Sequence, residues 1–258
     1  MKKHIPNLLT LGNLFCGCLG CFYIASIINY PYDLIENKIW LFVGCLTLLS
    51  LLFDFADGMT ARLWNIESKI GRPLDSLADM VSFGLLPGFI MMFLIHRSLD
   101  CNTSFILTFS KLDITNPVSF SYELIGLLIP LFSAIRLAKF TIDKTQNHYF
   151  KGLAAPANTL FILSLLWVEV FDSKSFLSPL INNLWALIFT TLASCGLLVS
   201  NLPMFSFKIK NFSFLDNIYQ YMLLIIAVIL IITLKIAGLP FIIISYIALS
   251  IIFSRRFL

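Results

Sequence analysis

Asp54-Phe-Ala-Asp57-Gly58-Met-Thr-Ala61-Arg62-Leu-Trp-Asn-Ile-Glu-Ser68-Lys-Ile-Gly71-Arg-Pro-Leu-Asp75-Ser-Leu-Ala-Asp79 sets four carboxylates at the junction of two strongly apolar segments. A charge taken out of water costs several kcal/mol unless it is paired or binds a counter-ion. Something must therefore compensate this group. The surroundings make the demand acute. The chain of 258 residues is 59% hydrophobic, 14% aromatic and only 12% charged, with a mean hydropathy of +0.89. Soluble domains carry about 25% charged residues. Apolar runs of membrane-spanning length dominate, so the expected fold is all-α, a polytopic membrane helical bundle.

Eight apolar segments can be marked, at about 8–28, 39–56, 77–96, 119–139, 155–171, 180–200, 217–235 and 238–254. They predict about eight transmembrane helices. Residues 1–210 are read as one membrane domain, and 211–258 as a C-terminal hairpin of the same bundle, turned at Gly238-Leu-Pro240. Residues 97–118 read as an irregular loop. Met1-Lys-Lys-His leads into the first span without an evident cleavage site, so no cleaved signal peptide is expected. With the N-terminus inside and eight spans, thirteen of the 18 Lys and Arg fall on the cytoplasmic side. That bias predicts both termini, and the carboxylate-rich loop, on the cytoplasmic face. A net charge of +4 with no basic run argues against nucleic acid as a partner. Cys16, Cys18 and Cys21 lie in wholly apolar surroundings with no His nearby, and read as packing residues rather than a zinc site. His4, His96 and His148 stand apart, with no partner that would make any of them a catalytic base.

Spacings of three and four residues place Asp54 with Asp57, and Asp75 with Asp79, on single helix faces. Two such pairs facing each other make a cage of four carboxylates. Two divalent cations would neutralise it, and oxygen-only ligands favour Mg²⁺ or Mn²⁺ over zinc. A two-metal site suits displacement at phosphorus, and so implies a phosphate-bearing substrate. Gly58 allows close approach, Ala61 keeps the face narrow, Arg62 can fork onto a phosphate and Ser68 offers a hydroxyl. Gly71 and Pro73 are expected to shape the turn into the third helix. Helix capping could account for Asp75. It does not account for Asp54 and Asp57 at the end of the second segment, where the helix dipole opposes them. A cation transporter is the rival from another class, disfavoured because the carboxylates cluster at one membrane face.

The stretch also resembles a known family. Asp57, Gly58, Ala61, Arg62, Gly71, Asp75 and Asp79 match the pattern D-G-x2-A-R-x8-G-x3-D-x3-D of the CDP-alcohol phosphatidyltransferases without departure. The resemblance implies that Asp54, Asp57, Asp75 and Asp79 bind two ions of Mg²⁺ or Mn²⁺. It implies that Asp79 takes the proton from the attacking hydroxyl. The CDP part of the substrate would meet Asn7, Thr10, Gly58, Ala61, Arg62, Ser68 and Gly71, although Asn7 could equally cap the first helix. An integral-membrane enzyme of the bacterial inner membrane is implied, with a cytoplasmic active site and a homodimeric state. Ile5-Pro-Asn-Leu-Leu-Thr-Leu-Gly-Asn-Leu-Phe-Cys-Gly17 and Asp75-Ser-Leu-Ala-Asp-Met-Val-Ser-Phe-Gly84 look like the phosphatidylserine-forming branch. So do Arg136-Leu-Ala-Lys-Phe140, Phe150-Lys-Gly-Leu-Ala-Ala-Pro-Ala157 and Ser200-Asn-Leu-Pro-Met-Phe-Ser206. Lys139 and Ala154 depart from the Arg and Pro more usual there. The branch implies CDP-diacylglycerol and L-serine as substrates, with CMP released. Inositol or glycerol 3-phosphate are the alternative acceptors. Arg136 is either a partner for the serine carboxylate or an interfacial anchor.

Overall fold

The computed structural model describes residues 4–28, 35–64, 70–101, 122–142, 150–204 and 217–253. Helix α1 runs Ile5–Ile27 and α2 runs Asn37–Leu63. Helix α3 (Gly71–Met80) passes through a π-helical turn, Val81–Leu85, into α4 (Leu86–Cys101). A 3₁₀ turn (Tyr122–Leu127) leads into α5, Leu128–Ile142. Then follow α6 (Ala155–Phe171), the short α7 (Ser178–Ile181), α8 (Leu184–Val199), α9 (Ile218–Leu234) and α10 (Gly238–Ile252). The only pairing of strands among the described residues joins β1 (Phe150–Lys151) to β2 (Pro203–Met204), antiparallel.

The expectation of an all-α membrane bundle holds. Five helical runs are long and apolar enough to cross a membrane: α1, α2, Gly71–Leu99, Tyr122–Thr141 and Ile218–Ile252, with α6 and α8 as shorter apolar helices. Straight, the 35 residues of the last run would reach about 52 Å, well beyond a hydrocarbon core of about 30 Å. Instead Lys235 takes a positive φ of 52°, a 3₁₀ turn follows, and α10 folds back against α9. The outer surface is that of a lipid-facing protein. Phe15, Phe22, Leu52, Phe189 and Ile232 are all more than 60% exposed, which a bilayer tolerates and water would not.

Several boundaries differ from the sequence expectation. Helix α2 continues to Leu63, so Asp54 and Asp57 sit inside it rather than at its end. The polar residues 54–62 interrupt the apolar run but leave helix propensity intact, and hydropathy alone stops too early. Gly71 and Pro73 belong to α3 rather than to a turn, because proline is accepted in the first turn of a helix. The N-cap of α3 is Ile70, so Asp75 is no cap; the N-cap of α1 is His4, so Asn7 is not one either. Residues 97–101, expected in a loop, continue α4. The remainder of that loop lies outside the described residues, as do Ser68 and His148.

Helices in lipid gain nothing from hiding apolar surface from one another, so they associate by close approach at small residues. A Cβ on Gly44 would run into the Trp167 ring, so the missing side chain lets α2 lock onto α6. A Cβ on Gly17 would lie 2.9 Å from the Ser82 Cα, so α1 rests directly on the backbone of the π turn. Gly17→Ala is therefore expected to lower stability by about 1–3 kcal/mol, the usual cost of overpacking. Thermal unfolding of the purified protein in detergent would show a reduced Tm. An unchanged Tm would mean that the α1 contact yields at little cost.

Candidate active site

The π turn begins two residues after Asp79, and inserted turns of this kind recur at functional sites. It frees backbone carbonyls that must find other donors. The Thr159 hydroxyl of α6 donates to the Phe83 carbonyl at 3.2 Å. The Ser82 hydroxyl donates 3.0 Å to the Asn13 carbonyl of α1, in the space left by Gly17. The turn thus holds α1 and α6 against the end of α3 that carries the carboxylates.

Oxygens of Asp54, Asp57 and Asp75 converge to within 4.8 Å of one another. They are the only such group of metal-ligating side chains among the described residues. Asp57 is buried, while Asp54, Asp75 and Asp79 are half-buried. Asp57 Oδ2 accepts 2.6 Å from the Thr10 hydroxyl. Asp75 Oδ1 is buried and has no hydrogen-bond partner. A buried carboxylate oxygen bound to nothing, facing two more carboxylates, fits an oxygen-coordinated divalent cation. Asp79 stands slightly apart from this trio. It feels the charges of Asp54, Asp75 and Asp57, and its Oδ1 accepts from Asn13 Nδ2 at 3.3 Å.

Asn13 is a residue that sequence reading missed. It is fully buried. The Ser50 hydroxyl of α2 donates to its Oδ1 at 2.5 Å, which leaves its Nδ2 as the donor aimed at Asp79. The spacing Thr10-x-x-Asn13, one turn apart among apolar residues, was the available signal. Thr10, expected at the nucleotide, donates its hydroxyl to Asp57. Asn7 is half-buried in the first turn of α1.

Of the residues expected to face CDP, Thr10 is buried and Gly58 is half-buried. Arg62 is exposed and donates from Nε to the Gly58 carbonyl at 2.8 Å. A Cβ on Gly58 would meet nothing nearer than Arg62 at 3.9 Å, so this face of α2 is open to a ligand. Ala61 and Gly71 are half-buried. Arg136, on α5, lies within Coulombic reach of Asp79. Its Nε is buried with no hydrogen-bond partner.

Of the two blocks Phe150–Ala157 and 200–206, the first meets the second through the pairing of Phe150–Lys151 with Pro203–Met204, and residues 205 and 206 lie outside the described residues. Gly152 N–H donates 2.8 Å to the Leu202 carbonyl, with a φ of +77° that favours glycine.

A family model described as CDP-alcohol phosphatidyltransferase matches residues 3–195. The chain belongs to the CDP-alcohol phosphatidyltransferase family. Its phosphatidyltransferase signature is the stretch that builds the carboxylate trio and Asp79. Among curated relatives, one from Helicobacter pylori (strain J99) is 30% identical over 203 residues, covering 79% of this chain and 72% of its own. One from Bacillus subtilis is 31% identical over 154 residues, covering 60% and 70%. One from Saccharomyces cerevisiae is 34% identical over 194 residues, covering 67% and 58%. Each of these relatives bears the name CDP-diacylglycerol–serine O-phosphatidyltransferase.

One expectation about histidine is corrected. His96 does have a partner, Glu123 Oε1 at 2.6 Å from its Nδ1. Beside it, Arg97 pairs with the buried Glu169 at 2.8 Å, and Asn182 donates to the same carboxylate at 3.2 Å. This network is about 30 Å along the α3–α4 axis from Asp75, at 1.5 Å per residue. It ties α4 to α6 and to the end of α7 and does not reach the carboxylate trio. Cys16, Cys18, Cys21, Cys45 and Cys195 are free thiols.

Proposed function

We propose that this protein transfers the phosphatidyl group of CDP-diacylglycerol to L-serine, forming phosphatidylserine and releasing CMP. The observation that carries the reading is the carboxylate trio with Asp79 beside it and Arg136 within that aspartate's field. The names of the curated relatives support serine as the acceptor.

Two divalent ions, Mg²⁺ or Mn²⁺, held by Asp54, Asp57, Asp75 and Asp79 would neutralise the pyrophosphate and stabilise charge at the reacting phosphorus. Asn13 presents Asp79 as a hydrogen-bond acceptor, with its second oxygen left for the acceptor hydroxyl. Asp79 takes the serine hydroxyl proton as the serine oxygen bonds to the lipid-side phosphorus. The phosphorus–oxygen bond to CMP breaks, and CMP leaves with the electron pair. Arg62 and the open face at Gly58 hold the nucleotide half, and Arg136 meets the serine carboxylate. Asp79, on α3 near the bundle's carboxylate end, would work at the cytoplasmic face given the positive-inside bias.

The test is CMP release by the purified protein with a panel of alcohols. A site built for a substrate's polar groups rejects analogues lacking them by up to roughly 10⁴–10⁵. Serine should therefore outperform ethanolamine, which lacks the carboxylate, by orders of magnitude. Turnover with inositol or glycerol 3-phosphate and none with serine would refute the serine reading and leave the family chemistry.

A further inference from the structure

Buried polar groups in a native protein almost always find partners, and an exception asks for a reason. Asn158 of α6 is fully buried, yet neither Oδ1 nor Nδ2 has a hydrogen-bond partner. Ser133 Oγ and Arg136 Nε, one turn apart on α5, are buried without partners too.

Ser133 lies against Gly84 of the π turn, 3.1 Å from where a Cβ would stand. Thr159 donates to Phe83 of the same turn. On the other side of Asn158, Ala157 packs in one cluster with Tyr246 and Leu249 of α10. Successive helical residues are about 100° apart, so Asn158 projects about 100° around α6 from Ala157 on one hand and from Thr159 on the other. Arg136 is within Coulombic reach of both Asp79 and the fully buried Tyr246. Tyr246 stands beyond residue 195, where the family match ends.

We propose that Asn158 and Tyr246 complete, with Arg136, the subsite that binds the charged groups of the acceptor alcohol, so that the C-terminal hairpin determines acceptor specificity. This rests on the phosphatidyl-transfer reading above. An amino acid acceptor presents a carboxylate that needs donors and an ammonium that needs acceptors. Arg136 and Asn158 Nδ2 supply the donors; Asn158 Oδ1 and the Tyr246 oxygen supply the acceptors. A bound acceptor would satisfy the amide that the protein alone leaves unsatisfied. Asn158 and Tyr246 are specificity-determining residues, while proton removal stays with Asp79.

The experiment uses the full-length protein in detergent, with Asn158→Leu and Tyr246→Phe measured beside wild type. Hydrogen bonds to charged groups correspond to roughly tenfold or more in binding. Each variant should raise KM for serine about tenfold or more, leave KM for CDP-diacylglycerol unchanged, and narrow the preference for serine over ethanolamine. Asn158→Leu should also keep or raise Tm, because it removes an unsatisfied buried amide. An unchanged acceptor KM in both variants overturns the proposal. So does an equal rise in both substrates' KM, which marks a structural role. If Asn158→Leu fails to fold, Tyr246→Phe decides, since it removes one oxygen and nothing else. Wild type that uses another alcohol and not serine sinks the serine reading alone. The same variants then test the subsite on that alcohol.

Discussion

Asp79→Asn is expected to cut kcat by about 10²–10⁴-fold, the usual contribution of a positioned general base. The substitution keeps the shape of the side chain and its hydrogen-bonding link to α1, but an amide cannot take the proton from the acceptor hydroxyl. Binding of CDP-diacylglycerol should change far less, because the trio of Asp54, Asp57 and Asp75 remains to hold the cations. The measurement is single-turnover CMP release beside equilibrium binding of the liponucleotide. Equal losses of binding and turnover would show that Asp79 serves mainly as a ligand, with the base elsewhere. Asn13 makes the comparison sharper. Its Nδ2 donates to Asp79 Oδ1 at 3.3 Å, and the amide introduced by the substitution can flip to keep an acceptor there.

Removal of divalent cations is expected to stop turnover entirely, with Mg²⁺ or Mn²⁺ restoring it. Three carboxylates within 4.8 Å repel one another too strongly to hold a pyrophosphate without compensation. Asp57→Asn should lose activity through metal affinity, visible as weakened cation binding by calorimetry as well as in the rate. Thr10→Val should do the same more mildly, about 10–100-fold, since it removes the 2.6 Å hydrogen bond that orients Asp57. Applied to inside-out membrane vesicles, the impermeant chelator EDTA should abolish activity; applied to intact cells it should not. Inhibition from the cell exterior would invert the orientation drawn from the positive charges. Full turnover in a metal-free preparation would remove the cage from the mechanism altogether.

The membrane bundle and the carboxylate trio were both legible in the chain, for the same reason. Each depends on information that is local in sequence. An apolar run reports its own transfer into lipid, and a three- or four-residue spacing reports a shared helix face wherever the helix goes. Asp54, Asp57 and Asp75 needed only a helix on each side of one short connection to meet. The turn between the last two helices lies at Lys235–Ala237, and Gly238-Leu-Pro240, expected to make that turn, instead opens α10, because proline is accepted in the first turn of a helix.

Tertiary structure decided what surrounds that trio. Asn13 reaches Asp79 across 66 positions and Ser50 across 37, and no local pattern encodes such a link. Hydropathy ended α2 too early because it measures the cost of polar side chains in lipid, while the backbone hydrogen bonds of the helix continue regardless to Leu63. The pairing of β1 with β2 joins two blocks that are about fifty residues apart. Helices in lipid dock where small residues let backbones approach, as Gly17 does on Ser82 and Gly44 on Trp167. Which helix lies in each such notch depends on the shapes of both partners. The chain alone therefore determined where charge would concentrate. The three-dimensional packing determined that Thr10 and Asn13 would hold it, and that Arg136 would stand within reach of Asp79.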